Sequence, residues 1–216
     1  GAIDRLLDAV LFRIGAPFFV DERVAMEGRG DELRSYEPRF GAASAGFALL
    51  NRGKRSIALD LKASGAKARL MPLLRSADVL IEQFRPGVMD RLGLGFTALA
   101  AINPRLIYCA ISGFGQTGPE RLGAGYDGKI QALSGIMAIT GHEETGPTRA
   151  GFAVCDVLSG ATAAFGVSSA LFQRTHTGKG QLVDVAMLDS ALTFMSSFVV
   201  DHTVGGHIQG PAGNRA

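Results

Sequence analysis

The sequence has few residues of the types that bind metal ions or form disulfides. Its 216 residues include two cysteines, Cys109 and Cys155, and four histidines. The cysteines lie far apart in apolar surroundings and outside any CxxC pattern, so we interpret them as buried, reduced thiols. The histidines are scattered, and no Cys/His spacing suits a metal. We therefore expect neither a metal site nor a disulfide framework.

Long apolar runs and a strong charge of one sign are also lacking. No run reaches the ~18 to 20 apolar residues of a membrane span, and Arg13 interrupts the apolar segment 9–20. The 22 basic and 20 acidic residues leave a net charge of +2, without the basic stripe typical of nucleic-acid-binding proteins. These features predict a soluble, cytoplasmic protein that binds neither nucleic acid nor a membrane.

Strand and helix patterns alternate along most of the chain. The apolar patterns predict strands over 56–61, 77–81, 104–111 and 180–186, and helices over 4–14, 64–74, 126–139, 156–174 and 188–200. Pro86 is expected to open a further short helix, because proline fits the first helical turn. This alternation is typical of an α/β fold with a Rossmann-like parallel sheet flanked by helices.

Three of the predicted strands end in residues that suit an anionic ligand. These ends are Asp60–Lys62, Glu82–Gly87 and the glycine-rich Ser112–Gly118. Ligands of open parallel sheets bind beyond the carboxyl ends of the strands, and cations with free N–H groups hold anions there. The glycine-rich segment matches neither GxGxxG at a strand-to-helix turn nor the Walker A pattern. Solvated surface charges are the alternative interpretation.

Asp156 is the carboxylate of greatest interest, and the sequence leaves two interpretations open. It follows an apolar stretch and opens the predicted helix 156–174, which is rich in small residues. A carboxylate at this position is typical of an N-cap. The other interpretation is a nucleophile, because carboxylates can form covalent acyl intermediates.

Several blocks of the sequence resemble the family III (CaiB/BaiF-type) CoA-transferases, in order and with family-like spacing from about residue 30 to about residue 192. The blocks are Asn51–Lys62, Ala77–Gly95, Asn103–Tyr108, Ser112–Pro119, Gly125–Asp127, Gln131–Gly135, Asp156 with Gly160, and Thr177–Met187. The resemblance implies the large, CoA-binding domain of such an enzyme, without its second domain.

The resemblance also implies roles for individual residues. Asp156 matches the catalytic aspartate, which forms aspartyl anhydride and aspartyl-CoA thioester intermediates while CoA passes from an acyl-CoA donor to a carboxylic acid. Matched positions place the CoA site at Leu59, Asp60, Leu61, Lys62, Gln83, Phe84, Arg85, Arg91, Gly125, Tyr126 and Asp127. CoA and acyl-CoA are substrates here, with no permanently bound cofactor. The expected partners are acyl-CoA, a small carboxylic acid and, in the full-length form, a second copy in an interlocked homodimer.

Departures from the family pattern keep two alternatives open. The same family contains 2-methylacyl-CoA racemases, in which a histidine commonly precedes the aspartate of the Gly-Tyr-Asp block. Tyr126 stands there in this sequence and is a poorer base near neutral pH, which favours a transferase. Residues 1–28 do not resemble the family's opening, 29–204 form the expected large domain, and 205–216 match the start of a linker to a second domain. An inactive, truncated half-protein that binds CoA is therefore the other alternative.

Overall fold

The computed structural model describes residues 9–13, 20–25, 32–41 and 43–214. The strands are β1 Ala9–Arg13, β2 Val20–Ala25, β3 Arg39–Phe40, β4 Ala43–Ser44, β5 Lys54–Ala58, β6 Val79–Glu82, β7 Ile107–Ser112 and β8 Leu182–Ala186. The helices are α1 Ala45–Leu50, α2 Ala66–Ser76, α3 Val88–Arg91, α4 Phe96–Ile102, α5 Asp127–Ser134, α6 Ile136–Ile139, α7 Val154–Thr177, α8 Met187–Phe194 and α9 Ser196–Gly205, with a 3-10 helix over Glu32–Ser35.

Six of the strands form one sheet in the order β5-β2-β1-β6-β7-β8, and β3 pairs with β4 separately. Strand β2 runs parallel to β5, and β6 runs parallel to β7. Strand β1 is antiparallel to both of its neighbours, β2 and β6. The predicted α/β class with helices flanking a parallel sheet is confirmed, and the central antiparallel strand is an addition that the sequence did not indicate.

The prediction of a helix over 4–14 is wrong where the structure describes that segment, since residues 9–13 form β1. Residues 4–8 and 14 lie outside the described residues. Strand β1 pairs with β2 on one side and with β6 on the other, so backbone hydrogen bonds across the sheet outweigh the helical periodicity. Strand β2 has the sequence VDERVA, whose three consecutive charged residues conceal it from hydrophobic patterning.

The chain divides into two compact units. Unit 1 comprises residues 1–110 and 167–183, and unit 2 comprises residues 111–166 and 184–216. Within unit 1 the strands β6 and β7 bury side chains on both faces. Leu80 and Tyr108 point into a core built with α2, α3 and α4, whereas Val79 and Ile107 pack with Ala170 of α7 on the opposite face. This alternation explains the continuous apolar run of each strand.

Unit 2 has a smaller apolar core, formed by Ile130, Ile136, Cys155, Met187, Ala191 and Met195. The predicted helix over 126–139 is interrupted at Gly135, whose φ of 89° ends α5 and precedes α6. The predicted helix over 188–200 is likewise divided into α8 and α9 at Met195.

Helix α7 is the longest element, with 24 residues, and by length and composition it could cross a membrane. The sequence prediction considered only uninterrupted apolar runs and did not identify it. One helix of this kind carries little weight, because helices of soluble proteins pass the same test. The absence of a membrane partner stays a prediction.

Candidate active site

The residues predicted to border the nucleotide part of CoA lie in unit 1, after β5 and β6. Two of them are core residues: the side chains of Leu59 and Phe84 pack in the main apolar cluster. Asp60 and Lys62 are exposed, and the Asp60 Oδ1 accepts a hydrogen bond from the Lys62 N–H at 2.9 Å. This bond closes an Asx-type turn at the end of the strand.

Gln83, Arg85 and Arg91 are exposed, and Leu61 is half-buried. Buried Glu82 shapes the turn that carries the first two, because its Oε2 accepts a hydrogen bond from the Phe84 N–H at 2.7 Å. Strands β5 and β6 point the same way but are separated by β2 and β1. At about 4.8 Å per strand, their ends are roughly 14 Å apart. Lys62 and Arg85 therefore follow the same sheet edge without facing one another across neighbouring strands.

Unit 2 contains the predicted catalytic residue and the Gly-Tyr-Asp block. Asp156 lies in the first turn of α7, two residues after the helix begins at Val154, and its side chain is exposed. It therefore does not occupy the N-cap position. The pKa of Asp156 is raised above its ordinary value of 3.8. The larger cause is partial desolvation of the carboxyl, and the smaller is the negative charge of Asp127.

Asp127 is the most highly connected carboxylate of unit 2. Its side chain is 8% exposed, and its Oδ1 accepts hydrogen bonds from the backbone N–H groups of Cys155 at 2.8 Å and Asp156 at 3.4 Å. Its Oδ2 accepts from the Gln131 side-chain amide and from Arg149 Nη2, the latter at 3.5 Å. The carboxylate thus caps the first turn of α7 from a different helix.

Two glycines bring the Gly-Tyr-Asp block against the glycine-rich segment that follows β7. A Cβ atom added to Gly113 would lie 2.6 Å from the Cα of Gly125, and one added to Gly125 would clash with Gly113 in the same way. The two backbones are therefore in direct contact, which only glycine permits. Asp184 fixes the next turn, because its Oδ2 accepts a hydrogen bond from the Gln116 N–H at 2.9 Å.

Tyr126 is 39% exposed and immediately precedes α5. Cys155 is fully buried, and its burial together with the charges of Asp127 and Asp156 raises its pKa to about 11. The thiol is therefore protonated near neutral pH and poorly nucleophilic.

Among the described residues, no group of three or more His, Cys, Asp or Glu side chains could hold a metal ion.

Sequence reasoning missed Gln131 and Arg149, the two side chains that hold the Oδ2 of Asp127. Gln131 is fully buried, and its Oε1 accepts a hydrogen bond from the Ala150 N–H at 2.9 Å. The spacing of four between Asp127 and Gln131 on one helix was a usable signal, since such residues are neighbours on a helix face. Nothing in the sequence pointed to Arg149, which lies in the loop before α7.

Comparison with known proteins identifies the family. The model of CoA-transferase family III matches residues 23–216. Acetyl-CoA:oxalate CoA-transferase of Acetobacter aceti is 45% identical over 194 residues, which cover 89% of this chain and 50% of that protein. Succinyl-CoA–D-citramalate CoA-transferase of Chloroflexus aurantiacus is 38% identical over 193 residues, covering 89% of this chain and 48% of that protein. The chain belongs to CoA-transferase family III.

A solved structure supports the same assignment. The crystal structure of a CaiB/BaiF family protein from Brucella suis matches with a TM-score of 0.82 and 37% identity, covering 87% of this chain and 51% of that one. The chain spans about half the length of the curated relatives that it matches. The family resemblance inferred from the sequence is thereby confirmed.

Proposed function

We propose that this chain contributes the CoA-binding and nucleophilic part of an enzyme that transfers CoA from an acyl-CoA donor to a carboxylic acid. The observation that carries this proposal is the position of Asp156. Its carboxyl is exposed at the first turn of α7, and its pKa is raised beside the buried Asp127. A carboxylate that is both accessible and unusually basic suits nucleophilic attack.

In the proposed reaction a carboxylate oxygen of Asp156 attacks the thioester carbonyl carbon. The C–S bond breaks, and CoA leaves as a thiolate while a mixed anhydride forms. The thiolate then attacks the Asp156 carbonyl of this anhydride, giving an aspartyl-CoA thioester and the free donor carboxylate. The acceptor carboxylate attacks that thioester and expels the thiolate, which attacks the acceptor carbonyl of the second anhydride. Acyl-CoA is released, Asp156 is a carboxylate again, and no net proton is consumed.

The surroundings of Asp156 in unit 2 favour such a sequence of steps. The contact between Gly113 and Gly125 brings the glycine-rich segment against the Gly-Tyr-Asp block in the same unit as Asp156. We propose that backbone N–H groups of these segments stabilise the oxyanion. In unit 1, the exposed cations Lys62, Arg85 and Arg91 supply positive charge for the phosphates of CoA. The roughly 14 Å between the ends of β5 and β6 suits a long ligand that contacts both ends.

The proposed acceptor class is a small carboxylic acid. The relatives from Acetobacter aceti and Chloroflexus aurantiacus are named for oxalate and D-citramalate, and one from Agrobacterium fabrum is named for succinate and glutarate. A cytoplasmic homodimer of the full-length form completes the proposal. Exposed apolar side chains of unit 2, such as Phe165 at 76% and Val204 at 83% exposure, support a further protein surface covering them.

The test is exchange of isotope-labelled CoA into a panel of acyl-CoAs, followed by mass spectrometry. Exchange requires only the first step, in which the mixed anhydride forms and CoA leaves. Labelled CoA then takes its place and the step reverses, so no acceptor has to be chosen. We compare the wild type, Asp156→Asn and the matched control Asp201→Asn, which removes an exposed carboxylate of α9. Label in the wild type and control, with at least a 1,000-fold loss in Asp156→Asn, is the expected result, on the order of the loss when a nucleophile is removed.

Equal exchange in Asp156→Asn would eliminate the proposed nucleophile. A wild type that binds CoA by calorimetry but exchanges no label would instead favour the half-protein that binds without turnover. Uptake of deuterium at the α-carbon of a 2-methylacyl-CoA would favour the racemase.

A further inference from the structure

The buried network around Asp127 has no part in the steps proposed above, yet Asp127 accepts a hydrogen bond from the backbone N–H of Asp156. We propose that Asp127 is a positioning residue for Asp156: its carboxylate fixes the first turn of α7 and places a negative charge beside the proposed nucleophile. The inference rests on the proposed function for its catalytic meaning, whereas its structural content can be tested without turnover.

Asp127 caps the first turn of α7. The first N–H groups of a helix have no partner within the helix, and a carboxylate oxygen satisfies them well. Asp127 Oδ1 accepts from the N–H of Cys155 and from that of Asp156 itself. The residue that carries the nucleophile is therefore tied to Asp127 through its own backbone, which limits where its side chain can point.

Hydrogen bonds to both oxygens fix the orientation of the Asp127 carboxylate. Its Oδ2 accepts from Gln131 Nε2 and from Arg149 Nη2, so donors surround both oxygens. The Gln131 amide is itself fixed, because its Oε1 accepts from the Ala150 N–H while its Nε2 also donates to the Phe152 carbonyl at 3.4 Å. A carboxylate accepts hydrogen bonds only, which matches a pocket that presents only donors.

The negative charge of Asp127 also acts on Asp156. A fixed negative charge close to Asp156 disfavours a second negative charge there, and the Asp127 charge is one of the two causes of the raised pKa of Asp156. A more basic carboxylate is a stronger nucleophile toward a thioester carbonyl. Other titratable groups around the pair are the buried Cys155, which stays protonated near neutral pH, and Arg149, whose partly exposed guanidinium offsets some of the Asp127 charge. Lys129 of the same helix α5 donates instead to the Ala124 carbonyl and lies over the Phe114 ring.

Two variants separate the cap from the charge. Asp127→Asn keeps an oxygen that can accept from Cys155 and Asp156, but it removes the charge and turns an NH2 donor toward Gln131 and Arg149. Asp127→Ala removes both the oxygen and the charge. Asp201→Asn is the matched control, because it makes the same chemical change at an exposed site of unit 2. The measurements are the ¹³C NMR titration of the Asp156 carboxyl and the hydrogen-exchange rates of the Cys155 and Asp156 amides.

In Asp127→Asn the Asp156 titration is expected to move to lower pH. The two amides should exchange faster than in the wild type, because the new NH2 group faces the Gln131 and Arg149 donors, but more slowly than in Asp127→Ala. In Asp127→Ala the titration moves in the same direction, and both amides exchange roughly tenfold faster, as expected for a lost helix cap. Asp201→Asn changes neither quantity. If the chain exchanges CoA, the acidic limb of its pH–rate profile moves to lower pH in Asp127→Asn, which a merely structural role would not produce.

An Asp156 titration that is unchanged in Asp127→Asn overturns the inference. If Asp127→Ala does not fold, the titration of the isosteric Asp127→Asn alone decides the matter. These readouts do not depend on catalysis, so failure of the proposed function and failure of this inference are distinguishable. Undiminished CoA exchange in Asp156→Asn would reject Asp156 as the nucleophile without affecting the titration result. An unchanged Asp156 titration in Asp127→Asn would reject the positioning role of Asp127 without affecting the exchange result.

Discussion

In unit 1 the strands β6 and β7 bury aliphatic side chains on both faces, whereas unit 2 surrounds a smaller apolar core with buried polar groups. Among the described residues, the buried polar side chains of unit 2 are Ser112, Asp127, Gln131, Ser134, Ser159 and Ser190, and those of unit 1 are Ser44, Glu82 and Arg174. The unit with less apolar burial thus holds more of the groups that must find hydrogen-bond partners. The difference indicates that unit 1 depends more on apolar packing and unit 2 more on satisfied buried hydrogen bonds.

The largest expected effect on stability comes from the core of unit 1. Leu99 of α4 is 1% exposed, so Leu99→Ala leaves a cavity and should lower the free energy of unfolding by about 3 to 4 kcal/mol. The matched control, Leu49→Ala, removes a side chain that is largely exposed and should change it by less than about 0.5 kcal/mol. Urea unfolding of both variants is the measurement. Equal effects would contradict the description of unit 1 as a packed apolar core.

The largely buried ion pair between Arg174 and Asp78 tests how much a polar contact stabilises unit 1. Arg174 Nη2 lies 2.7 Å from Asp78 Oδ1, and Arg174 Nη1 donates to the Arg105 carbonyl at 2.9 Å. Arg174→Met removes both interactions and should lower the free energy of unfolding by about 3 kcal/mol in urea unfolding. Arg75→Met, at an exposed position of α2, is the control and should have little effect. A small loss in Arg174→Met would show that water satisfies the freed acceptors.

The close backbone contact of unit 2 comes next. Gly113→Ala places a methyl group 2.6 Å from the Cα of Gly125 and should destabilise the fold by about 2 kcal/mol through overpacking. Gly160→Ala is the control on α7, because a Cβ there meets nothing within 4 Å, and it should stabilise the helix by up to ~1 kcal/mol. Thermal unfolding distinguishes the two by the direction of the change in Tm. Destabilisation by both substitutions would contradict the steric argument.

The smallest expected effect on stability concerns Asp156, whose replacement by Asn should raise the free energy of unfolding at neutral pH, whereas most substitutions lower it. The folded protein raises the pKa of this carboxyl, so the folded state binds its proton more tightly than the unfolded state does. The contribution of Asp156 to stability is therefore complete below the ordinary pKa of 3.8 and is lost as the pH rises through the higher, folded-state pKa.

Asp156→Asn removes this titration, so the variant should be slightly more stable than the wild type at pH 7, with a difference that shrinks as the pH falls toward 4. Urea unfolding at several pH values measures the difference, with Asp201→Asn as the control. A wild type that gains stability relative to Asp156→Asn as the pH rises would contradict the raised pKa.

The sequence predicted the helices of unit 2 and the central strands of unit 1, but it missed other elements of unit 1, and the reason is physical. Strands β5, β6 and β7 and helix α2 appear within about three residues of their predicted positions, because local apolar patterns reflect burial in a sheet. Strands β1 and β2 escaped detection, since their pairing partners are distant in sequence and β2 is highly charged. The short helices α1 and α4 were also missed.

In unit 2 the proposed nucleophile, Asp156, was predicted by resemblance, but the side chains that hold its helix turn were not. The cap on α7 comes from Asp127, which is 28 residues before Cys155, and Arg149 reaches that carboxylate from an irregular loop. No local pattern encodes such contacts, because they depend on how helices and loops meet in three dimensions. The CoA-site positions and the proposed domain boundaries stay predictions.

The glycine contacts have a consequence for how a mutational scan of this protein should be interpreted. Gly113 and Gly125 exclude every side chain from each other's backbone, and a Cβ at Gly180 would clash with the Leu106 carbonyl. Every replacement at such positions should cost stability, so in a saturation screen they could lose activity as the proposed nucleophile would. Conservative changes separate the two kinds of intolerance. Under the proposed function, the isosteric Asp156→Asn should remove activity and keep the fold, whereas a glycine at a close backbone contact has no isostere among the genetically encoded residues.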